Sequence, residues 1–410
     1  MSEYYDYYSE RYIELLKKPV VVYDAKILSL THYESATDDI TNDCILKDSS
    51  VSINNSQGCR RSCTLKFQNT SGKYTPDPNK LLWYNKKLKV YKGVVDTANS
   101  DTYWWSQGIF VVTSFEVNND EVTVECSDKY AFLNGDLRLS MYDVAVQIPD
   151  TDNMYLISPT VIAAGNGLSL RNIIFDLIMA DMGNNTPLDP TDALLDTEFE
   201  NLFLDYQISV GNGNYPADII SNLAEMYRFN TYYDIKGHLK VTKFISDEYY
   251  NITPIWFYDD TKIGGSNISV TYDHTKATNV QRVSGNNIEG NVYSYTAKNT
   301  NLISPINIYL VGEKEGEEIE IENGNSAYKC QQRAEYELKY STMNACSVSL
   351  DGVPLPHIDV DVPIIVNSPI NSLNNTRMVV TDVTIPLGVG EMSLSLTNVN
   401  YIPLEASCTL

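Results

Sequence analysis

Residues 63–68, Cys-Thr-Leu-Lys-Phe-Gln, give the clearest indication of the fold class. In this stretch the apolar residues Cys63, Leu65 and Phe67 alternate with polar ones, and residues 121–126 (EVTVEC) repeat the alternation. Successive side chains of a β-strand point to opposite faces, so a period of two indicates strands with one buried and one solvated face. Both stretches therefore predict strands of a sheet that covers a core.

Turn-forming residues separate the strand patterns. Residues 118–120 (Asn-Asn-Asp) lie between two of these patterns and predict a hairpin turn, and further breakers stand at 71–72 and 76–78. Many short strands with regular turns are typical of a sandwich or a small barrel. We therefore predict a first β-barrel domain over residues 20–135.

The N-terminal arm, residues 1–19, is rich in Tyr and in acidic residues. Its residues 12–16 have the spacing of a short amphipathic helix, which would be marginal alone, so we expect it to pack on the body or on a partner. The arm has neither the basic start nor the apolar stretch of a signal peptide, and the chain has no apolar run of about 18 residues. We expect synthesis in a cytoplasm and no membrane insertion.

The middle of the chain changes to a helical period. Ser169 stands where it can cap a helix whose apolar stripe runs from Leu170 to Ile178, and a second helix follows Pro216. A strand pair joined by a Lys-Gly turn at 236–237 comes next. These patterns predict a small α+β domain over residues 136–250.

Strand patterns return after residue 250 and are interrupted by one helix, with Ala327, Cys330, Ala334 and Leu338 on its buried face. We predict a second β-barrel domain with this helix over residues 251–410. The charged segment 313–322 is interpreted as an exposed turn. The fold class is thus mainly β with an α+β middle: two β-barrel-like domains flanking a small α+β domain.

Composition limits the classes of function. The net charge of -23 argues against a surface that clamps nucleic acid, because phosphate binding requires Lys and Arg. The acidity fits either an ordinary solubilising surface or an acidic lumen through which DNA slides. The 30 Tyr suit strands and subunit contacts, and a compositional bias of the coding DNA explains them equally well.

A search for chemistry finds no nucleophile elbow, no zinc-protease helix and no phosphate loop. Cys59 and Cys63 are close in sequence, but a zinc site needs a second ligand pair. Asp359 and Asp361 could serve a glycosidase, yet their alternation indicates the polar face of a strand. We predict no catalytic, cofactor-binding or metal site and no cofactor.

The adjacent Trp104 and Trp105 must point to opposite faces if they lie in a strand. We therefore expect one of them to be buried and the other exposed. An exposed Trp suits a core-edge or subunit contact, or the stacking of a sugar.

A set of turn-and-strand motifs, in one order along nearly the whole chain, resembles the phage baseplate hub and tail-associated protein family. Each motif is short, but the ordered set is more specific than its members. The motifs are RRSCTLKFQN (60–69) with GKYTPD (72–77), KVYKG (89–93), GIFVVT (108–113), VTVECSDKYAFL (122–133), LAEM (223–226), YYDIKGHL (232–239), RAE (333–335) with Leu338, and VPLP (353–356) with Ile358-Asp-Val360.

The resemblance implies a structural virion protein that assembles in the host cytoplasm and is not an enzyme. In this family three subunits form a ring, each giving two similar barrels. The six barrels match the six-fold tail tube, and the trimer matches a three-fold central spike or fibre. Expected partners are further copies of the chain, the tail tube protein, and distal tail or other baseplate proteins, with DNA passing through the lumen without specific binding.

Two other classes of function stay open at this point. One is a tail-tip cell-wall hydrolase, and the other is a carbohydrate-binding receptor module. Because the sequence ends at Leu410, we expect no appended lysin or fibre domain.

Overall fold

A computed structural model describes residues 9–55, 58–84, 86–137, 169–179, 187–203, 215–243, 252–259, 267–273, 275, 277–286, 291–321, 326–343 and 345–398. The Tyr-rich start of the arm and the Gly-Asn-Gly motifs at 165–167 and 211–213 lie outside these residues. By its contacts the chain divides into two compact units. Unit 1 comprises Met1–Phe244, Pro354–His357 and Thr384–Met392, and unit 2 comprises Ile245–Val353, Ile358–Val383 and Ser393–Leu410. The domain boundaries drawn from the sequence stay predictions.

Unit 1 contains an antiparallel sheet in the order β3-β4-β7-β6-β5-β1-β2. Its strands are β1 Tyr23–Leu30, β2 Ala36–Asp39, β3 Ser50–Asn54, β4 Arg61–Gln68, β5 Lys87–Asp96, β6 Asp101–Asn118 and β7 Glu121–Asp128. The alternation of residues 63–68 is confirmed, because Cys63, Leu65 and Phe67 are buried. The predicted hairpin turn is confirmed as well: it joins β6 to β7, with Asn119 in a left-handed conformation that Asn tolerates.

The long strand β6 is bent by bulges. Its pairing with β5 passes from Gly108 to Ser106 and leaves Gln107 as the extra residue. Gly108 has φ 139°, which a side chain would disfavour, and the buried Gln107 donates a hydrogen bond to the Pro356 carbonyl at 2.9 Å. The bulge therefore turns an amide inward to hold the 354–357 segment of the same unit.

Helices and a small sheet complete unit 1. Ser169 caps its helix as predicted, since its hydroxyl accepts a hydrogen bond from the Asn172 amide. The apolar stripes of the helices pack on a three-stranded sheet in the order β8-β10-β9. The elements are α1 Glu10–Leu16, α2 Leu170–Ile178, β8 Leu194–Leu195, α3 Thr197–Glu200, α4 Pro216–Tyr227, β9 Phe229–Tyr233 and β10 Leu239–Lys243.

Unit 2 is built on two sheets. The larger has the order β12-β16-β19-β18-β17-β11, and the smaller has the order β14-β13-β15 with one long helix packed on it. The elements are β11 Phe257–Asp259, β12 Ile268–Tyr272, β13 Val280–Asn286, β14 Val292–Lys298, α5 Ile308–Val311, β15 Ile319–Ile321, α6 Ala327–Met343, β16 Cys346–Gly352, β17 Pro363–Ser368, β18 Leu373–Pro386 and β19 Met392–Asn398. Strand β18 ends, and β19 begins, in residues assigned to unit 1.

Two local expectations were wrong. Asp359 and Asp361 do not lie in a strand: they belong to a turn before β17, and Asp361 has φ 59°, which breaks an extended run. The segment 313–322 is not only a turn, because it contains β15, which pairs in parallel with β13. The mainly β class with an α+β part is confirmed.

Candidate assembly surfaces

Unit 2 presents an apolar loop, residues 299–312, which leads from β14 into α5 and ends at Gly312. Five of its large apolar side chains are between 50% and 78% exposed, although side chains of this type are usually buried. They are Leu302, Ile303, Tyr309, Leu310 and Val311. A cluster of this kind on one loop is typical of a surface that another molecule covers.

Three buried Asn hold the apolar loop in shape. Asn279 donates hydrogen bonds to the carbonyls of Ile306 and Gly312, at 3.1 and 2.7 Å. Asn299 donates to the Ser304 hydroxyl at 2.9 Å, and the side-chain oxygen Oδ1 of Asn307 caps α5 by accepting from the backbone amides of Tyr309 and Leu310. Because the side-chain amides of these three Asn are buried and hydrogen-bonded, the loop is held in one conformation and forms a preformed surface.

An acidic flank follows the apolar loop. Glu313, Glu315, Glu317, Glu318 and Glu320 are all exposed. Among the described residues only two of them have a cationic side chain within 4 Å: Glu313 pairs with Lys298, and Glu318 pairs with Arg282. The flank ends in β15, whose second edge takes part in no pairing among the described strands. Unit 2 therefore shows an apolar patch bordered by negative charge.

The sheet that carries this surface is supported from one face by α6. Cys330, Ala334 and Leu338 pack against Val283 and Ala297. The predicted buried face is confirmed at Cys330, Ala334 and Leu338 but is wrong at Ala327, which lies in the first turn of the helix and is exposed. The small side chains of Cys330 and Ala334 let the helix lie close to the sheet. The support leaves β15 and the apolar loop on a rigid base.

Unit 1 presents a basic segment, residues 17–22 (KKPVVV), directly after α1. Lys17, Lys18, Pro19 and Val20 are exposed, and Val20 is 76% exposed. The backbone of the segment is anchored where the Val22 carbonyl accepts a hydrogen bond from the Val95 amide at 2.9 Å. Positive charge and apolar side chains are thus held side by side on unit 1.

Helix α1 docks on the body of unit 1, one of the two placements expected for the arm. Arg11 forms two hydrogen bonds with Asp96, at 2.8 and 2.9 Å, and lowers the pKa of that carboxyl to about 2. The buried Tyr12 hydroxyl lies 2.8 Å from Nδ1 of His357, and the Tyr12 ring contacts Trp105. This docking fixes the start of the basic segment.

The buried His357 makes the stability of unit 1 depend on pH. Burial lowers its pKa to about 3, so the unfolded chain, with an ordinary pKa near 6.5, binds the proton more tightly and acid favours unfolding between these values. Burial raises the pKa of Asp128 to about 6, so the folded state binds that proton more tightly and acid favours folding from about pH 6 to 3.8. The two slopes oppose each other in the wild-type protein.

The His357→Gln variant removes the contribution of His357 to the pH dependence of the free energy of unfolding. We expect the variant to gain stability relative to wild type by about 1.4 kcal/mol per pH unit as the pH falls from 6 to 4.5. Urea unfolding of both proteins at several pH values measures the difference. A difference that does not change with pH would contradict the neutral, buried state of His357.

A buried ion network joins the first sheet of unit 1 to its α+β part. Lys129 Nζ lies 2.6 Å from a Glu34 oxygen and 2.8 Å from an Asp189 oxygen, and Lys87 Nζ lies 3.0 Å from the same Glu34 oxygen. Tyr233 donates to the other Asp189 oxygen at 2.7 Å. Burial raises the pKa of Asp189 and the Lys129 charge lowers it, with a net lowering, so this carboxylate stays ionised.

The residues weighed from the sequence do not come together as a site. Trp104 is 40% exposed while Trp105 packs toward Tyr12, so the expectation of opposite faces is confirmed, although Trp105 is half-buried and not fully buried. Cys63 pairs across strands with Cys126 and is buried, apart from any set of ligands. Among the described residues no group of three His, Cys, Asp or Glu is placed to hold a metal ion. Within the same residues no helix has the length and apolar character needed to cross a bilayer.

The signal for the apolar loop was present in the sequence but was missed. Residues 299–312 contain Leu-Ile and Ile-Tyr-Leu-Val between polar residues, a combination that a buried strand or helix would also show. The three Asn that hold the loop are distributed over residues 279–307, so their convergence depends on the tertiary fold.

Comparison with known proteins shows the fold. No protein-family model matches the chain, and no curated protein sequence matches it. Among solved structures it is similar to the 43 kDa tail protein of prophage MuSo2 from Shewanella oneidensis, with TM-score 0.58 and 11% identity, over 93% of this chain and 100% of the other. A tail protein from Neisseria meningitidis MC58 gives TM-score 0.56 and 10% identity, over 92% and 96%. Prophage tail protein gp18 from Listeria monocytogenes gives 0.52 and 13%, over 91% and 94%.

The chain therefore has the fold of phage tail proteins. The match extends over at least 91% of its length in all three comparisons, so it includes both units and not one isolated domain. The resemblance noted from the sequence motifs is confirmed at the level of the fold.

Proposed function

We propose that this chain is a structural component of a phage-type tail, the trimeric hub that joins a six-fold tail tube to a three-fold spike or fibre at the baseplate or tip. The observation that carries the proposal is the fold, since similarity to three tail proteins covers nearly the whole chain. The role is adhesive, and the chain is not an enzyme.

The surfaces of each unit support an adhesive role. The exposed apolar loop of unit 2 and the basic segment of unit 1 offer area that a neighbour would cover, and obligate subunit contacts are apolar at their centres. The net charge of -23 suits a hub through which DNA passes without specific binding, because the acidic surface repels phosphates. The tube, distal tail or other baseplate proteins and the central spike or fibre are the proposed partners in the virion.

The oligomeric state tests this function. We expect the purified chain to form particles of three 46.2 kDa subunits in mass photometry and rings with an open pore in negative-stain images. A ring with one chain type follows from rotational symmetry. A compact monomer at micromolar concentration would contradict the proposed hub.

A further inference from the structure

We propose that the apolar loop of one subunit docks on the basic segment of the next copy of the same chain around the trimer. The proposal rests on the proposed function and names the contact that closes the ring. The loop is residues 299–312 with its acidic flank 313–320, and the basic segment is residues 17–22.

Symmetry requires two different surfaces for such a ring. In a cyclic trimer each subunit meets one neighbour through one patch and the other neighbour through a second patch, so the two patches must complement each other. The apolar loop belongs to unit 2 and the basic segment belongs to unit 1, so one chain carries both.

The two surfaces match in charge. The flank carries five exposed Glu, of which Glu315, Glu317 and Glu320 have no cationic partner within 4 Å among the described residues, while Lys17 and Lys18 are exposed at the other surface. Opposite charges around an apolar contact steer the partner and fix its register. The match is local: the basic segment of a second copy complements the acidic flank, which a neutral or acidic patch would not do.

Both surfaces also carry exposed apolar side chains, and both are held in one conformation. Leu310 and Tyr309 are exposed on the loop, and Val20 is exposed on the basic segment next to the lysines. The buried Asn279 keeps the loop in one shape, and the Val22 carbonyl anchors the segment, so docking loses little conformational entropy. Large apolar side chains at the centre of a contact carry most of its binding energy.

Substitution of the loop tests the contact. We expect Leu310→Asp to raise the concentration at which the trimer dissociates by about 30-fold or more, because a charge replaces a central apolar side chain. The matched control is Ile370→Asp: Ile370 is 93% exposed in unit 2 but lies outside the loop, and we expect no change. The circular dichroism spectra of both variants should match that of wild type, since both side chains are exposed in the single chain and neither is part of its core.

Charge exchange tests the partner surface. Lys17→Glu with Lys18→Glu should weaken the trimer, and so should Glu315→Lys with Glu317→Lys. The protein that carries all four changes should recover most of the wild-type trimer, because the attraction is restored with reversed signs. Recovery identifies the two surfaces as partners and cannot arise from independent damage to each unit.

The possible outcomes distinguish a failure of the proposed contact from a failure of the proposed hub function. A wild-type trimer that Leu310→Asp and both charge reversals leave intact overturns this contact and leaves the hub standing. A trimer weakened by each reversal but not restored by the fourfold variant also overturns the pairing of these surfaces. A wild-type chain that stays monomeric overturns both the proposed contact and the proposed hub. The same holds if the loop of that monomer binds a different, basic protein.

Discussion

Replacement of Lys129 by Met will lower the free energy of unfolding of unit 1 by about 3–5 kcal/mol. Lys129 is fully buried and is the cation that Glu34 and Asp189 share. Met fills a similar volume but leaves the two carboxylates with one ammonium, that of Lys87, whose pKa burial already lowers. An uncompensated buried charge costs more than the lost attraction, so the effect is large. Urea unfolding at pH 7, followed by circular dichroism, measures it.

The control is a lysine of the same unit with an exposed ion pair. Lys73 lies 2.7 Å from Asp43, and both side chains are more than 40% exposed. Lys73→Met should change stability by at most about 1 kcal/mol, because water replaces the lost partner. Equal effects for the two variants would mean that the network of Lys129 is not a distinct source of stability.

The ion network shows what a sequence can and cannot reveal. Lys129 stands in the motif Asp128-Lys129, so its position was noticed, but its partners at 34 and 189 lie far away along the chain and carry no pattern of their own. A buried carboxylate looks like a surface carboxylate until the fold brings a cation to it. Convergence of this kind is a tertiary property, and periodicity does not encode it.

The structure within a single helix or strand was easier to predict from the sequence than the contacts between residues that lie far apart along the chain. The strand of 63–68 and the capped helix after Ser169 follow from periodicity and from a cap, both of which act within one element. The turn at 359–361 was misread because its alternation imitates a strand, while the left-handed conformation of Asp361 leaves no mark in the sequence. β15 was missed because strong charge hides a strand whose pairing partner, β13, lies about 35 residues earlier.

The Asn279→Ala variant tests the assembly surface without changing any exposed side chain of the apolar loop. Asn279 is buried, donates to the carbonyls of Ile306 and Gly312, and accepts from the Lys314 amide at 2.6 Å. Alanine removes these three hydrogen bonds to buried or half-buried backbone groups, at about 1 kcal/mol each or more. We expect the opening free energy of residues 308–312 to fall by about 3 kcal/mol, and their amide hydrogen exchange to become about 100-fold faster.

The Asn279→Ala variant also tests whether the ordered conformation of the apolar loop is needed to form the trimer. If the apolar loop binds as a preformed surface, a loosened loop must be reordered on binding, so the trimer should dissociate at higher concentration although no exposed side chain has changed. Asn371→Ala is the matched control, because Asn371 lies in unit 2 outside the loop and its flank, and its side chain donates a hydrogen bond to the Ser368 hydroxyl at 2.9 Å. We expect Asn371→Ala to leave both the exchange at 308–312 and the trimer unchanged. Faster exchange in Asn279→Ala with an unaltered trimer would show that the shape of the loop does not matter for assembly, and the preformed surface would then have to be abandoned.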